Sequence, residues 1–156
     1  MRKFLAFGAS ILGLLLTATP VQAAGAFSQT THITTLTDHI PVTCAGPFTG
    51  ATIVHATGDG VVHFNANSTG DWFTTTFVGQ GTIVQTAGPQ AGEVFTGHVM
   101  DWVGVEGNLQ NSIFHATFNF DGTNATGQSL GMHAEAQFTM NPDGSMNGSH
   151  INVSCR

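Results

Sequence analysis

Residues 113–120 read Ile-Phe-His-Ala-Thr-Phe-Asn-Phe, and residues 129–136 read Ser-Leu-Gly-Met-His-Ala-Glu-Ala. Apolar side chains recur at every second position in both stretches, which is the spacing of a β-strand that buries one face and wets the other. The two stretches therefore predict adjacent antiparallel strands. The side chains predicted to face inward are Phe114, Ala116, Phe118, Phe120, Leu130, Met132, Ala134 and Ala136.

The same alternation recurs along the chain. Runs of Thr, Val, Ile and Phe are cut by Gly, Asp, Asn and Pro, and no window shows helical spacing over a dozen positions. Many short strands predict an all-β fold, a single antiparallel barrel of the up-and-down kind found in lipocalins, with a two-sheet sandwich as the alternative. The predicted strands lie near residues 30–38, 49–57, 61–67, 71–78, 81–87, 93–103, 112–120, 129–140 and 146–155.

The N-terminus carries the pattern of a secretory signal peptide. A short basic start precedes an apolar run over residues 4–16, and Val21-Gln-Ala fits a small-x-small cleavage site. The run of about 13 residues is too short to cross a bilayer as a stable helix. We therefore expect a signal peptide over 1–23, a single all-β domain over 24–156, and export of that domain to the extracellular space.

Charge excludes two classes of partner. Without Arg2 and Lys3, one arginine, Arg156, stands against nine Asp and Glu residues, so the net charge with neutral histidines is −8. Binding to a phosphate backbone needs clustered Lys and Arg, and anionic lipid surfaces attract the same residues. We therefore expect no nucleic-acid partner and no membrane insertion, and instead a small apolar ligand or a protein partner.

The two cysteines predict one disulfide. In an exported protein an isolated pair such as Cys44 and Cys155 most simply forms a bridge, although two free thiols or a metal pair are alternatives. The bridge would close a loop of about 110 residues and tie an early segment to the last strand. Loop-closure entropy gives such a bridge roughly 4–5 kcal/mol of stabilisation.

Eight histidines are many for this chain, and they suggest a metal site. The inferred register places Glu135 beside His150, with His115 opposite His133 or Glu135, all on the outward face. Imidazole and carboxylate are suitable ligands for zinc or copper, so these four residues form a candidate metal site. The alternative is that histidine replaces Lys and Arg as a wettable strand residue.

A further pair of histidines depends on a predicted tight turn. Gly58-Asp-Gly is typical of a hairpin loop, and a loop there pairs residue 56 with residue 62. His55 and His63 would then lie opposite each other on the outward face. Two ligands rarely hold a structural metal, so this pair is a weaker candidate.

The sequence favours a binding role over an enzymatic one. It contains no Gly-x-Ser-x-Gly, no His-Glu-x-x-His and no phosphate-cradling glycine loop before a helix. The inward positions mix Phe with Ala, Gly and Ser, which either fills a taper or leaves room for a small apolar ligand. Trp72 and Trp102 either pack in the fold or stack on a sugar.

The expected function is therefore a secreted, non-enzymatic domain that binds a small apolar ligand. One alternative is a structural or surface-interaction protein with a filled core. The other is a metal-binding protein built on the histidine face.

Three segments resemble a loose group of small secreted bacterial proteins of all-β architecture and unassigned function. They are Pro41-Val-Thr-Cys-Ala-Gly, the strand histidines His55 and His63, and the terminal Val153-Ser-Cys-Arg. The group shares a Cys-x-Gly start and a Cys followed by a basic residue, and this chain departs from it in the Ala-Gly-Pro after Cys44. The resemblance implies export, a β fold and the Cys44–Cys155 pair, and it implies no catalytic or binding residue.

Overall fold

A computed structural model describes residues 26–108 and 110–156, and the predicted signal peptide lies outside them. These residues form one sheet in which each strand pairs antiparallel with the next along the sequence. Its seven strands are β1 (Phe27–Thr43), β2 (Gly46–Asn67), β3 (Gly70–Gln85), β4 (Val94–Asn108), β5 (Ser112–Thr123), β6 (Ser129–Met140) and β7 (Met146–Cys155). The all-β, antiparallel prediction is confirmed. In the part of the chain described here, no helix is long and apolar enough to cross a membrane.

The sheet curls without closing. β1 and β7 are its two edges and do not pair with each other within the described ranges, so the sheet is not a closed barrel. Yet the hydroxyl of Thr52 on β2 lies 3.7 Å from Sδ of Met132 on β6, and Nε2 of Gln85 on β3 lies 3.5 Å from the same sulfur. Because strands that are not neighbours touch through their side chains, one face of the sheet is concave. We call it the inner face.

The hydrophobic core occupies the inner face. Its side chains alternate with outward polar ones along each strand, as the sequence predicts for a half-buried sheet. Five of its members on β5 and β6 are among the residues assigned inward from the sequence: Phe118, Phe120, Leu130, Met132 and Ala134. The other buried hydrophobic residues of the described chain are Val42, Val54, Ala56, Phe77, Ile83, Phe95 and Val99.

The predicted turn at residues 58–60 is wrong. Gly58, Asp59 and Gly60 lie inside β2 and pair in continuous register with β3. The glycines allow close packing here, because a Cβ on Gly58 would clash with the carbonyl oxygen of Val78. A second break was predicted between residues 78 and 81, and these residues lie inside β3. The nine predicted strands are therefore seven in the described residues.

The loss of that turn also separates two histidines that were predicted to pair. His55 and His63 lie on the same strand, each beside a threonine of β1. Nδ1 of His63 is 2.9 Å from the hydroxyl of Thr30, and Nδ1 of His55 is 3.4 Å from that of Thr37. The predicted cross-strand pair of His55 and His63 is therefore wrong.

The disulfide prediction is confirmed. Cys44, in the β1–β2 connection, is bonded to Cys155 at the end of β7, with 5.8 Å between the two Cα atoms. The Gln85 side chain lies beside the bridge. Its Oε1 accepts a 3.0 Å hydrogen bond from the Cys44 backbone N–H, and its Nε2 lies 3.0 Å from the Cys44 sulfur. The bridge thus joins the two edges of the sheet at one end, which we call the disulfide end.

Candidate functional site

The four candidate metal ligands lie on one face, as predicted, but in a different register. Glu135 pairs with Asn152, whereas His115 and His150 both pair with Gln137. The β6–β7 hairpin is offset by two residues from the inferred pairing, and the partner of His115 is two residues from Glu135 and four from His133. Because the side-chain period of a strand is two, this offset keeps every side chain on its predicted face and changes only its neighbours. The predicted pairing of Glu135 with His150 is therefore wrong.

His133 stands apart from the other two histidines. Its Nδ1 lies 2.7 Å from Oδ1 of Asn119, and its Nε2 lies 3.1 Å from Oε1 of Glu135. Both ring nitrogens are thus already engaged by neighbouring side chains. Across residues 26–108 and 110–156, no three His, Cys, Asp or Glu side chains are grouped so as to hold a metal ion.

The other candidate residues line a concavity beside Trp102. This concavity has a volume of about 230 Å³ and opens on the outer face over β4 to β7. Two adjacent rows of paired residues form it. In one row Trp102 pairs with Thr117 and Thr117 with Glu135, and in the other Gln137 pairs with both His115 and His150. The outward side chains that line it are Trp102, His115, Thr117, Glu135, Gln137 and His150.

A second concavity on the same face surrounds Trp72. It has a volume of about 360 Å³ and lies where β2 and β4 end and β3 begins, away from the disulfide. Trp72 pairs with Asn65 on one side and with Glu106 on the other. The outward polar residues that line it are Asn65, Asn67, Thr69, Glu106 and Asn108. Each concavity therefore combines one indole with amides and carboxylates.

The two tryptophans are exposed rather than packed in the core. Trp72 is 40% exposed and Trp102 is 37% exposed. The Trp102 ring lies over Gly104, where a Cβ would be 2.8 Å from its Cη2 and 3.0 Å from its Cζ2. Gly104 therefore provides the space for the ring, which packs one side against the strand.

The inner face is apolar but incompletely covered at the end opposite the disulfide, which we call the open end. A continuous row of paired residues crosses five strands there: Phe64, Phe73, Val105, Phe114 and Phe138. Every member of this row is half-buried, whereas Phe120, on the same face, is only 1% exposed. The rings of Phe114 and Phe138 stack with their centroids 4.5 Å apart.

Further apolar side chains extend this row to both edges of the sheet. Phe27 on β1 is 52% exposed, and its ring centroid lies 6.0 Å from that of Phe64. Met140 and Met146, which pair at the β6–β7 hairpin, are 41% and 59% exposed. An apolar surface thus spans the whole width of the open end.

Two carboxyl groups lie near each other inside the curled sheet. Asp101 on β4 is only 7% exposed, and Phe77 and Phe118 pair with it on either side. Burial raises the pKa of Asp101 to about 7, and the nearby charge of Asp38 on β1 raises it further. Burial also raises the pKa of Asp38. The backbone N–H of His39 donates a hydrogen bond to the Asp38 carboxylate, which lowers that pKa by a smaller amount.

The sequence analysis did not predict this acidic pair, although the sequence indicates the buried position of one of its two members. Residues 95–105 carry apolar side chains at odd positions, and Asp101 occupies one of those positions. Alternation alone therefore places a carboxyl group on the buried face. Nothing local indicates that Asp38, more than sixty residues earlier, lies near it.

Comparisons with protein-family models, curated proteins and solved structures found no match to this chain. The resemblance to small secreted bacterial proteins stays a prediction. The geometry of the inner and outer faces is therefore the basis for inferring function.

Proposed function

We propose that the protein is a secreted, non-enzymatic binding domain that holds a small apolar ligand at the open end of its inner face. The signal-peptide pattern over residues 1–23 supports export. The bridge between Cys44 and Cys155 agrees with an oxidising compartment. In this proposal the curled sheet acts as an open barrel, filled at the disulfide end and accessible at the other.

The observation that carries the proposal is the half-buried aromatic row. Fully burying a Phe side chain stabilises a fold by roughly 1.5–3 kcal/mol relative to leaving it exposed. Phe64, Phe73, Phe114 and Phe138 forgo part of that gain, and Phe27 forgoes more. A contiguous apolar surface that a domain leaves uncovered typically marks a binding site.

The shape of this surface favours a small molecule. Contacts between β2, β3 and β6 make the inner face concave, and concave apolar surfaces with few polar groups are typical of small-molecule sites. Gln29 and Thr31 supply polar groups, because they pair with Phe64 and Val62 on that face. We therefore expect a mainly hydrocarbon ligand that carries a single hydrogen-bonding group.

Replacing Phe138 with threonine should weaken binding of a neutral apolar fluorophore, N-phenyl-1-naphthylamine, by about tenfold. Loss of one aromatic wall removes apolar contact worth about 1.4 kcal/mol, which corresponds to that factor. Threonine keeps the strand propensity of the position. The measurement is a fluorescence titration of the mature, oxidised protein.

Val78→Thr provides the matched control. Val78 is 46% exposed on the outer face of β3, so the same type of substitution is made away from the inner face. Equal binding by Phe138→Thr and the wild type would contradict the proposed site. A wild-type protein that leaves the fluorescence unchanged, and that carries no ligand in native mass spectra after purification from its secretion medium, would favour a surface-interaction protein with a filled core.

A further inference from the structure

We infer that the outer face binds a neutral polysaccharide, with Trp72 and Trp102 as its two stacking platforms. This site is separate from the proposed apolar site, because Trp72 and Trp102 face away from the aromatic row. It rests on three observations: the exposure of both indoles, the polar side chains around each one, and the charge of the face. A pyranose ring presents apolar C–H groups on its flat sides and hydroxyls around its edge. An exposed indole beside hydrogen-bonding groups matches both parts.

The two indoles lie on neighbouring strands in a defined relation. Trp72 on β3 pairs with Glu106, and Trp102 lies four residues along β4 from Glu106, about 13 Å at the rise of a strand. The ring of Trp102 extends along β4 over Gly104, in the direction of Glu106 and Trp72. One sugar ring cannot cover both indoles, so the fitting ligand is a chain of several sugars.

Gly104 leaves the space in which the Trp102 ring lies. A glycine within a strand weakens it, because it loses more backbone freedom on folding and has no side chain to pack. Here the space above Gly104 is occupied by the six-membered ring of Trp102. The glycine therefore supports one side of the ring and leaves the other side available to a ligand.

The polar groups near each indole suit sugar hydroxyls. Asn65 near Trp72 and Gln137 near Trp102 each offer an amide donor and an amide acceptor. Thr117 pairs with Trp102 and adds a hydroxyl that can donate or accept. A hydroxyl-rich ligand can use donors and acceptors together, whereas a hydrocarbon can use neither.

The charge of the face selects against anionic polysaccharides. The carboxylate of Glu106 lines the Trp72 concavity, and that of Glu135 lines the Trp102 concavity. Within residues 26–108 and 110–156, Arg156 is the only lysine or arginine. It lies 3.2 Å from the carboxylate of Asp121 and outside both concavities. A uronate or sulfate ester would meet carboxylates without a compensating cation, so the ligand is expected to be uncharged.

Intrinsic fluorescence offers a direct test, because the chain contains two tryptophans and no tyrosine. The mature protein is titrated with hydroxyethyl cellulose, xylan, laminarin and soluble chitin oligosaccharides, with polygalacturonate and alginate as anionic probes. We expect at least one neutral glycan to change the tryptophan emission in a saturable way and to retard the protein in affinity electrophoresis. The anionic glycans should do neither.

Substitutions locate the site. Trp72→Ala and Trp102→Ala should each weaken retardation by at least tenfold, and the double variant should abolish it, while Val78→Ala on the same face leaves it unchanged. Gly104→Ala should also weaken binding, because the added Cβ displaces the Trp102 ring and removes no ligand-facing group. Thermal melting confirms that each variant is folded.

Two results would overturn the inference. One is the absence of any neutral glycan in the panel that shifts the emission of the wild type. The other is retardation of a folded double variant to the same extent as the wild type. Neither result bears on N-phenyl-1-naphthylamine binding at the inner face, so the two sites are judged separately.

Discussion

Asp101→Asn is expected to raise the free energy of unfolding at pH 8 by about 4 kcal/mol. In the folded protein the pKa of Asp101 is raised from 3.8 to about 7, mainly by burial and further by the charge of Asp38. A shift of about three units corresponds to about 4 kcal/mol, at 1.36 kcal/mol for each unit. Above pH 7 the wild type holds a buried carboxylate, whereas the amide of asparagine carries no charge.

The sign of the pH dependence follows from the raised pKa. Between about pH 4 and pH 7 the folded state of Asp101 binds the proton that the unfolded state has released. Folding stability from this group is therefore fully present below the unfolded pKa, and it is lost as the pH rises through about 7. Asp38, whose pKa is also raised by burial, acts in the same direction.

Urea unfolding at pH 4.5, 6 and 8 measures both effects. The wild type should lose stability between pH 4.5 and pH 8, and Asp101→Asn should flatten that profile and differ little from the wild type at pH 4.5. Asp59→Asn, at an exposed position in β2, is the matched control and should leave the profile unchanged. A wild-type stability that rises over this range, with Asp101→Asn less stable than the wild type at pH 8, would contradict the prediction.

Removing the bridge with Cys44→Ser and Cys155→Ser together is expected to cost about 4–5 kcal/mol of stability. The bridge spans 111 residues of sequence, and loop-closure entropy in the unfolded chain grows with that length. Cys44 also receives the Gln85 amide, so its loss disturbs a second contact at the disulfide end.

The midpoint of urea unfolding, compared for the oxidised wild type and the double variant, tests this prediction. A lower midpoint for the double variant is expected. The slope with urea is also expected to change, because the unlinked chain unfolds to a more expanded state. Phe138→Thr serves as a comparison variant for the double variant, because Phe138 lies on the same sheet but far from the bridge. An unchanged midpoint in the double variant would show that the bridge does not set stability.

Alternation predicted the faces of the strands better than their limits. Phe118 and Phe120 were assigned inward and are buried, because a period of two is a local property of the sequence. Gly58-Asp-Gly has the composition of a hairpin turn, yet it lies within β2 because the neighbouring strand needs glycines at close approach. Composition cannot separate these two uses of glycine.

The candidate sites were predictable to the same degree. His115, Glu135 and His150 were assigned to one outward face, and all three line the Trp102 concavity. Their pairing was not predictable, because a shift of two residues preserves every face and changes every neighbour. The proximity of Asp38 and Asp101 depends on how the whole sheet curls, which no local pattern encodes.

The order of the strands has a consequence for how the chain assembles. Each strand pairs with its neighbour in sequence, so the sheet can grow hairpin by hairpin, with short loops closed at every step. The bond between Cys44 and Cys155 joins the first connection to the last strand, so the two cysteines reach their native separation only in a sheet that includes β7. We therefore expect the native bridge to form late when the reduced protein refolds, in chains whose β7 already pairs with β6.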